Sequence, residues 1–167
     1  MLYRGRRLLR HSPSKIVVSA TNTGYNTRMF EECLYFNTNA LARTVTRIWS
    51  EAYRRFDLSP PHAFLLRVVL ARPGLYPREL AKELNLSRST VTRFLDSLER
   101  EGYLIRKPEE TDGRELQVHP TKKAKGIHRQ LDDTGANLTK LMGQRLGPKE
   151  VSKTVKTLRA MQDQLEK

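Results

Sequence analysis

Residues 77–104, PRELAKELNLSRSTVTRFLDSLEREGYL, spell two short helices joined by a tight turn. Leu80, Ala81 and Leu84 recur at helical spacing on one face. Asn85 follows, one of the few residues besides glycine that tolerates the left-handed backbone needed to stop a helix and turn the chain. Ser87 then offers an N-cap oxygen to a second helix, whose apolar face is Val91, Phe94, Leu95 and Leu98 and whose closing glycine is Gly102. Ala81 is small where the two helices must cross, and Val91 is β-branched where the second packs back on the first. This is a helix-turn-helix pattern. Its outward residues, Arg88, Ser89, Thr90, Thr92 and Arg93, combine short donors and acceptors with long cations, as readout in a DNA major groove requires. No acid stands between residues 87 and 95, whereas a face made only for solubility would mix both signs.

Working outward, a long amphipathic helix is expected from about Phe30 to Phe56, with Leu34, Leu41, Val45, Ile48, Trp49 and Ala52 on its stripe. Ser59 is expected to cap the next helix, with Pro60 and Pro61 in its first turn, where a missing amide costs nothing. Residues 63–71 are apolar almost all round and read as buried, until Arg72-Pro73-Gly74 breaks the helix. After Gly102 the pattern alternates. Residues 104–107 and 115–119 read as strands around a loop whose Asp112-Gly113 pair favours chain reversal. A β-hairpin directly after such a helix is a wing, with Arg114 as its DNA-facing tip and Asp112 pairing with it. Thr121 starts another long helix, which Gly126, Gly135 and Gly143 are expected to bend or fray. Pro148 and Glu150 open a last one, with Val151, Val155, Leu158, Met161 and Leu165 on its stripe.

The expected fold is mainly α with a small β-hairpin wing: a winged helix-turn-helix lobe over 57–120, flanked by helices over 29–56 and 121–167. The flanking stripes must bury against something. A second copy of the chain satisfies them and spaces two recognition helices about one DNA turn apart, roughly 34 Å.

Charge agrees with a polyanionic partner. The 167 residues carry a net +13. Residues 1–28 hold six bases and no acid, and the remainder, with 25 bases and 18 acids, is itself +7. Residues 1–28 show no helical or strand period and read as disordered. The single cysteine, Cys33, excludes an internal disulfide and suits a reducing, cytoplasmic compartment. No apolar run approaches the ~18 residues of a membrane span. His11, His62, His119 and His128 have no metal-ligand spacing, and no phosphate-cradling glycine loop or nucleophile elbow occurs, so neither a metal, a cofactor nor an enzymatic role is expected. A non-specific architectural or RNA-binding protein would explain the charge equally well. It would not explain a capped, acid-free helix beside a wing.

The chain resembles the MarR family of bacterial and archaeal transcription regulators from Cys33 to about Leu165. CLYFNTNALARTVTR, LSPPHAFLL, PRELAKELNLSRSTVTRFLDSLEREGYLIRK and TDGRELQVHPTKKA carry the likeness, and Asp112 and Arg114 match the family's Asp-x-Arg wing pair. The resemblance implies a dimeric repressor on a palindromic operator in double-stranded DNA, with Arg114 in the flanking minor groove and release by a small-molecule effector or an oxidant. Tyr35, Phe36, Trp49 and His62 are the candidate lining of an effector pocket, with plain core packing as the other reading. Cys33 is a candidate redox sensor. Aligned on Arg43, however, the reactive cysteine of peroxide-sensing relatives falls at Tyr35, about 200° around the helix, and a lone helical cysteine commonly just packs. Family proteins usually begin near the first helix, and Met29 makes an ordinary start. Residues 1–28 are therefore either an upstream extension not made in the cell or a basic arm that adds non-specific affinity.

Overall fold

A computed structural model of the chain describes residues 28–108 and 116–166. Its elements are α1 (Arg28–Glu31), α2 (Leu34–Tyr53), a 3-10 turn (Arg54–Phe56), α3 (Pro60–Ala71), α4 (Pro77–Leu84), α5 (Arg88–Arg100), β1 (Leu104–Pro108), β2 (Leu116–Pro120), α6 (Lys122–Leu146) and α7 (Pro148–Leu165). The fold is mainly helical with one antiparallel hairpin. Two compact units divide at Asn37.

In the first unit the long helix expected from Phe30 is interrupted. Glu32 and Cys33 lie between α1 and α2. The cause is Asn37, whose side-chain amide donates to the carbonyls of Phe30, Glu31 and Cys33 at 2.9–3.0 Å. A short amide that satisfies backbone carbonyls competes with the helix ladder. Phe36 folds back to stack on Phe30 with ring centroids 5.3 Å apart.

The second unit begins at Thr38 and is built around α3. Leu65, Leu66 and Val69 are fully buried there against Leu80 of α4, Val91, Leu95 and Leu98 of α5, Leu104 and Val118 of the hairpin, and Leu131 of α6. Phe64, at 42% exposure, and Ala71 are exceptions to the expected all-round burial. Ser59 is the N-cap residue of α3 by backbone, but its hydroxyl makes no cap bond and instead meets His62 Nδ1 at 2.6 Å. Asn85 ends α4 with φ 51° and ψ 52°, the left-handed turn its side chain permits, and Ser87 Oγ accepts from the Thr90 N–H to start α5. The hairpin pairs Leu104 with Pro120 and Arg106 with Val118. A further rung was not legible in the sequence: Leu75 bridges to Val118, and the Gly74 N–H donates to the Val118 carbonyl at 2.9 Å.

The three glycines of α6 do not interrupt it; the helix runs unbroken from Lys122 to Leu146. At Gly135 there is a packing reason for the missing side chain. A Cβ would lie 2.5 Å from Arg67 Nη1 and 2.9 Å from its Cζ, so the guanidinium lies directly on the helix backbone.

Candidate nucleic-acid interface

Two local devices present α5. Its start is held by a hydroxyl knot: Ser87 Oγ lies 2.8 Å from Thr90 Oγ1 and 3.0 Å from Ser89 Oγ. Its end is held by the start of α6. The Thr121 hydroxyl donates to the Gly102 carbonyl at 2.7 Å, and Lys123 Nζ donates to the Glu101 carbonyl at 2.7 Å while lying over the Tyr103 ring. Tyr103 in turn donates its hydroxyl to the Phe56 carbonyl. Both ends of the helix are therefore fixed, as a reading head must be.

Arg88, Ser89, Thr92 and Arg93 are exposed and Thr90 is half-buried. Neither Arg88 nor Arg93 pairs with an acid among the described residues, so both guanidinium groups stand open on the surface. The hydroxyls are differently placed. Thr90 is drawn into the cap, and Thr92 donates to the Arg88 carbonyl at 3.0 Å, so each must exchange an internal bond for any external one. Asp112 and Arg114 lie outside the described residues. Sequence reasoning missed Arg106. It sits on β1 beside Asp96 and Glu99 of α5, and those two acids on successive turns were the signal that a cation should be sought nearby.

The four aromatic candidates for an effector pocket fall two in each unit. Trp49 packs on the core of the second unit, and His62 lies at the head of α3 with its ring 4.7 Å from that of Phe94. Tyr35 and Phe36 belong to the first unit, where both are exposed. Cys33 is half-buried at the break before α2. A different hollow, of about 470 Å³, opens between α3, α4 and α6. Phe64, Val68 and Leu84 give it apolar walls, and Arg67, Arg72, Glu83, His128 and Asp132 supply the polar groups. Arg67 Nε donates to Asp132 Oδ1 at 2.8 Å, and His128 Nε2 lies 3.2 Å from the other oxygen.

Comparison with known proteins agrees with this geometry. The sequence profile of the MarR family matches residues 56–115, the stretch from the end of the 3-10 turn into the wing. YfiV, an HTH-type transcriptional regulator of Bacillus subtilis, is 31% identical over 98 residues, covering 59% of this chain and 61% of its own length. TtmR, an HTH-type transcriptional regulator of Methylorubrum extorquens, is 26% identical over 121 residues, covering 72% of this chain and 62% of its own. The chain thus spans about six tenths of the length of these curated relatives. Among solved structures, Streptococcus pneumoniae FabT, determined in complex with DNA, superposes with a TM-score of 0.61 at 28% identity, covering 78% of this chain and 93% of that one.

Proposed function

Because the chain belongs to the MarR family of winged helix-turn-helix proteins, we propose that it is a sequence-specific DNA-binding transcription regulator acting as a dimeric repressor. The observation that carries this reading is the outward face of α5, fixed at both ends and presenting two arginines that pair with no acid among the described residues. In this reading α5 enters the major groove. Arg88 and Arg93 contact phosphate or guanine edges, and Ser89, Thr90 and Thr92 read bases or fix register. Arg114, steadied by Asp112, takes the flanking minor groove. The lobe over 57–120 reads DNA, and the helices over 29–56 and 121–167 join two copies. That division suits α7, whose Val155, Leu158, Met161 and Leu165 are all exposed in the single chain.

The hollow beside Phe64 suits a small-molecule effector, since it combines apolar walls with a few convergent polar groups between the lobe and α6. The protein works by binding and performs no chemistry. Its place is the cytoplasm of a bacterial or archaeal cell, where the chromosome is; among the described residues no helix is long and apolar enough to cross a membrane.

The test is fluorescence anisotropy of the purified chain against DNA from upstream of its own gene and against scrambled DNA, at ~150 mM salt. A preference of at least about 10³-fold marks a sequence reader. Equal binding with a steep salt slope marks a charge-driven architectural protein. Within the first outcome, Arg93→Ala is expected to weaken the preferred duplex by about 1–3 kcal/mol, and unchanged affinity removes Arg93 from the interface.

A further inference from the structure

The reading stripe of α5 does not end where its acid-free stretch ends. At about 100° per residue, Thr92, Asp96 and Glu99 all fall within roughly a quarter-turn of Arg88. Asp96 and Glu99 are the two acids of α5, and their side chains are 53% and 39% exposed. Two bare carboxylates on the stripe that faces phosphate would repel the duplex.

They are not bare. Arg106 of β1, itself only 21% exposed, reaches both. Its Nη2 donates to Asp96 Oδ1 at 2.6 Å and lies 3.4 Å from the Thr92 carbonyl. Its Nη1 sits 3.3 Å from Glu99 Oε2, and its own backbone N–H donates to Glu99 Oε1 at 3.1 Å. One residue of the wing's first strand is thereby joined to three residues of the helix. A guanidinium suits this place because its planar fork spans two carboxylates at once, which a lysine ammonium cannot do with the same geometry.

We propose that Arg106 is a positioning residue for DNA recognition, masking the two carboxylates of α5 from phosphate while bolting the first strand of the wing to the reading helix. The proposal rests on α5 being that helix. It assigns Arg106 no contact with DNA, although an arginine in a wing would ordinarily be expected to make one.

Neutralising Asp96 and Glu99 separates masking from direct contact. A duplex is first selected from a random-sequence pool by the wild-type chain. Its affinity is then measured for Arg106→Met, for Arg106→Lys, and for Arg106→Met combined with Asp96→Asn and Glu99→Gln, over a series of salt concentrations. Arg106→Met is expected to bind about tenfold or more weakly at ~50 mM salt, with the deficit shrinking as salt screens the exposed acids. The triple variant is expected to recover most of that loss, and Arg106→Lys to fall between wild type and Arg106→Met. A triple variant as weak as Arg106→Met, or an Arg106→Met variant equal to wild type, overturns the proposal. If Arg106→Met does not fold, Arg106→Lys is compared with and without the two amide substitutions, and the same recovery is required. Amide hydrogen exchange without DNA completes the test. The Arg106 amide is expected to exchange faster once Glu99 is changed to alanine, and unchanged exchange refutes the bolt. Failure of the wild-type chain to select any sequence counts against the regulator reading instead, with the exchange result still deciding the bolt.

Discussion

His62 shows how burial sets the behaviour of a single titratable ring. Its Nδ1 meets the Ser59 hydroxyl, its face leans on Phe94, and its Nε2 is buried with no hydrogen-bond partner among the described residues. Burial lowers its pKa from the ordinary 6.5, with the Glu101 carboxylate opposing in part. The folded chain therefore refuses a proton that the unfolded chain accepts below that value. Stability is expected to be complete above about pH 6.5 and to fall as the pH drops further. Urea titrations across that range check this, and His62→Gln should flatten the dependence; an identical slope in the variant would assign it to other groups. Gly135 gives a second residue-scale prediction. Helix propensity alone says that Gly135→Ala should stabilise by about 1 kcal/mol. With the Arg67 guanidinium resting on that position and paired with Asp132, the gain should vanish. It should reappear in an Arg67→Ala background, and denaturation of the four proteins of that cycle is the measurement.

At the scale of elements, the turn between α4 and α5 holds one of two left-handed non-glycine residues, with Asp57, among the described ones. Asn85 holds φ 51°, a region that penalises an ordinary side chain by roughly 1–2 kcal/mol. Asn85→Ala should cost about 1 kcal/mol, whereas Asn85→Gly should fall within a few tenths. Chemical denaturation distinguishes the two, and equal losses would show that the Asn side chain matters for some reason other than backbone conformation. This turn was legible because its chemistry is local: one left-handed residue, then one cap. The break at Glu32–Cys33 is also local, yet it escaped notice because Asn37 sits inside an otherwise regular apolar period. Periodicity reports which face is buried and says nothing of which carbonyl a side chain will intercept.

For the whole molecule, the exposed stripe of α7 is the place to test the proposed dimer. Leu158 is 44% exposed and Leu165 81% in the single chain, and such a face calls for a partner. Leu158→Glu should convert a dimer to monomers in sedimentation velocity and weaken palindromic DNA far more than a half-site, because two linked lobes bind as one. An unchanged mass would remove α7 from the interface.

The order of helices, the helix-turn-helix with its Asn85 stop and Ser87 cap, and the hairpin that follows are legible in the chain's local chemistry. These depend on contacts within a few residues, where spacing and side-chain chemistry suffice. Packing of distant elements is what explains why Gly135 is a glycine, why the Ser59 hydroxyl serves His62 rather than the helix end, and how Arg106 reaches Asp96 and Glu99. Each of these is a meeting of a long or polar side chain with a group whose position follows from packing. Three carbons of a flexible stem can carry a guanidinium to several places, and it is the fixed distance between elements that selects one.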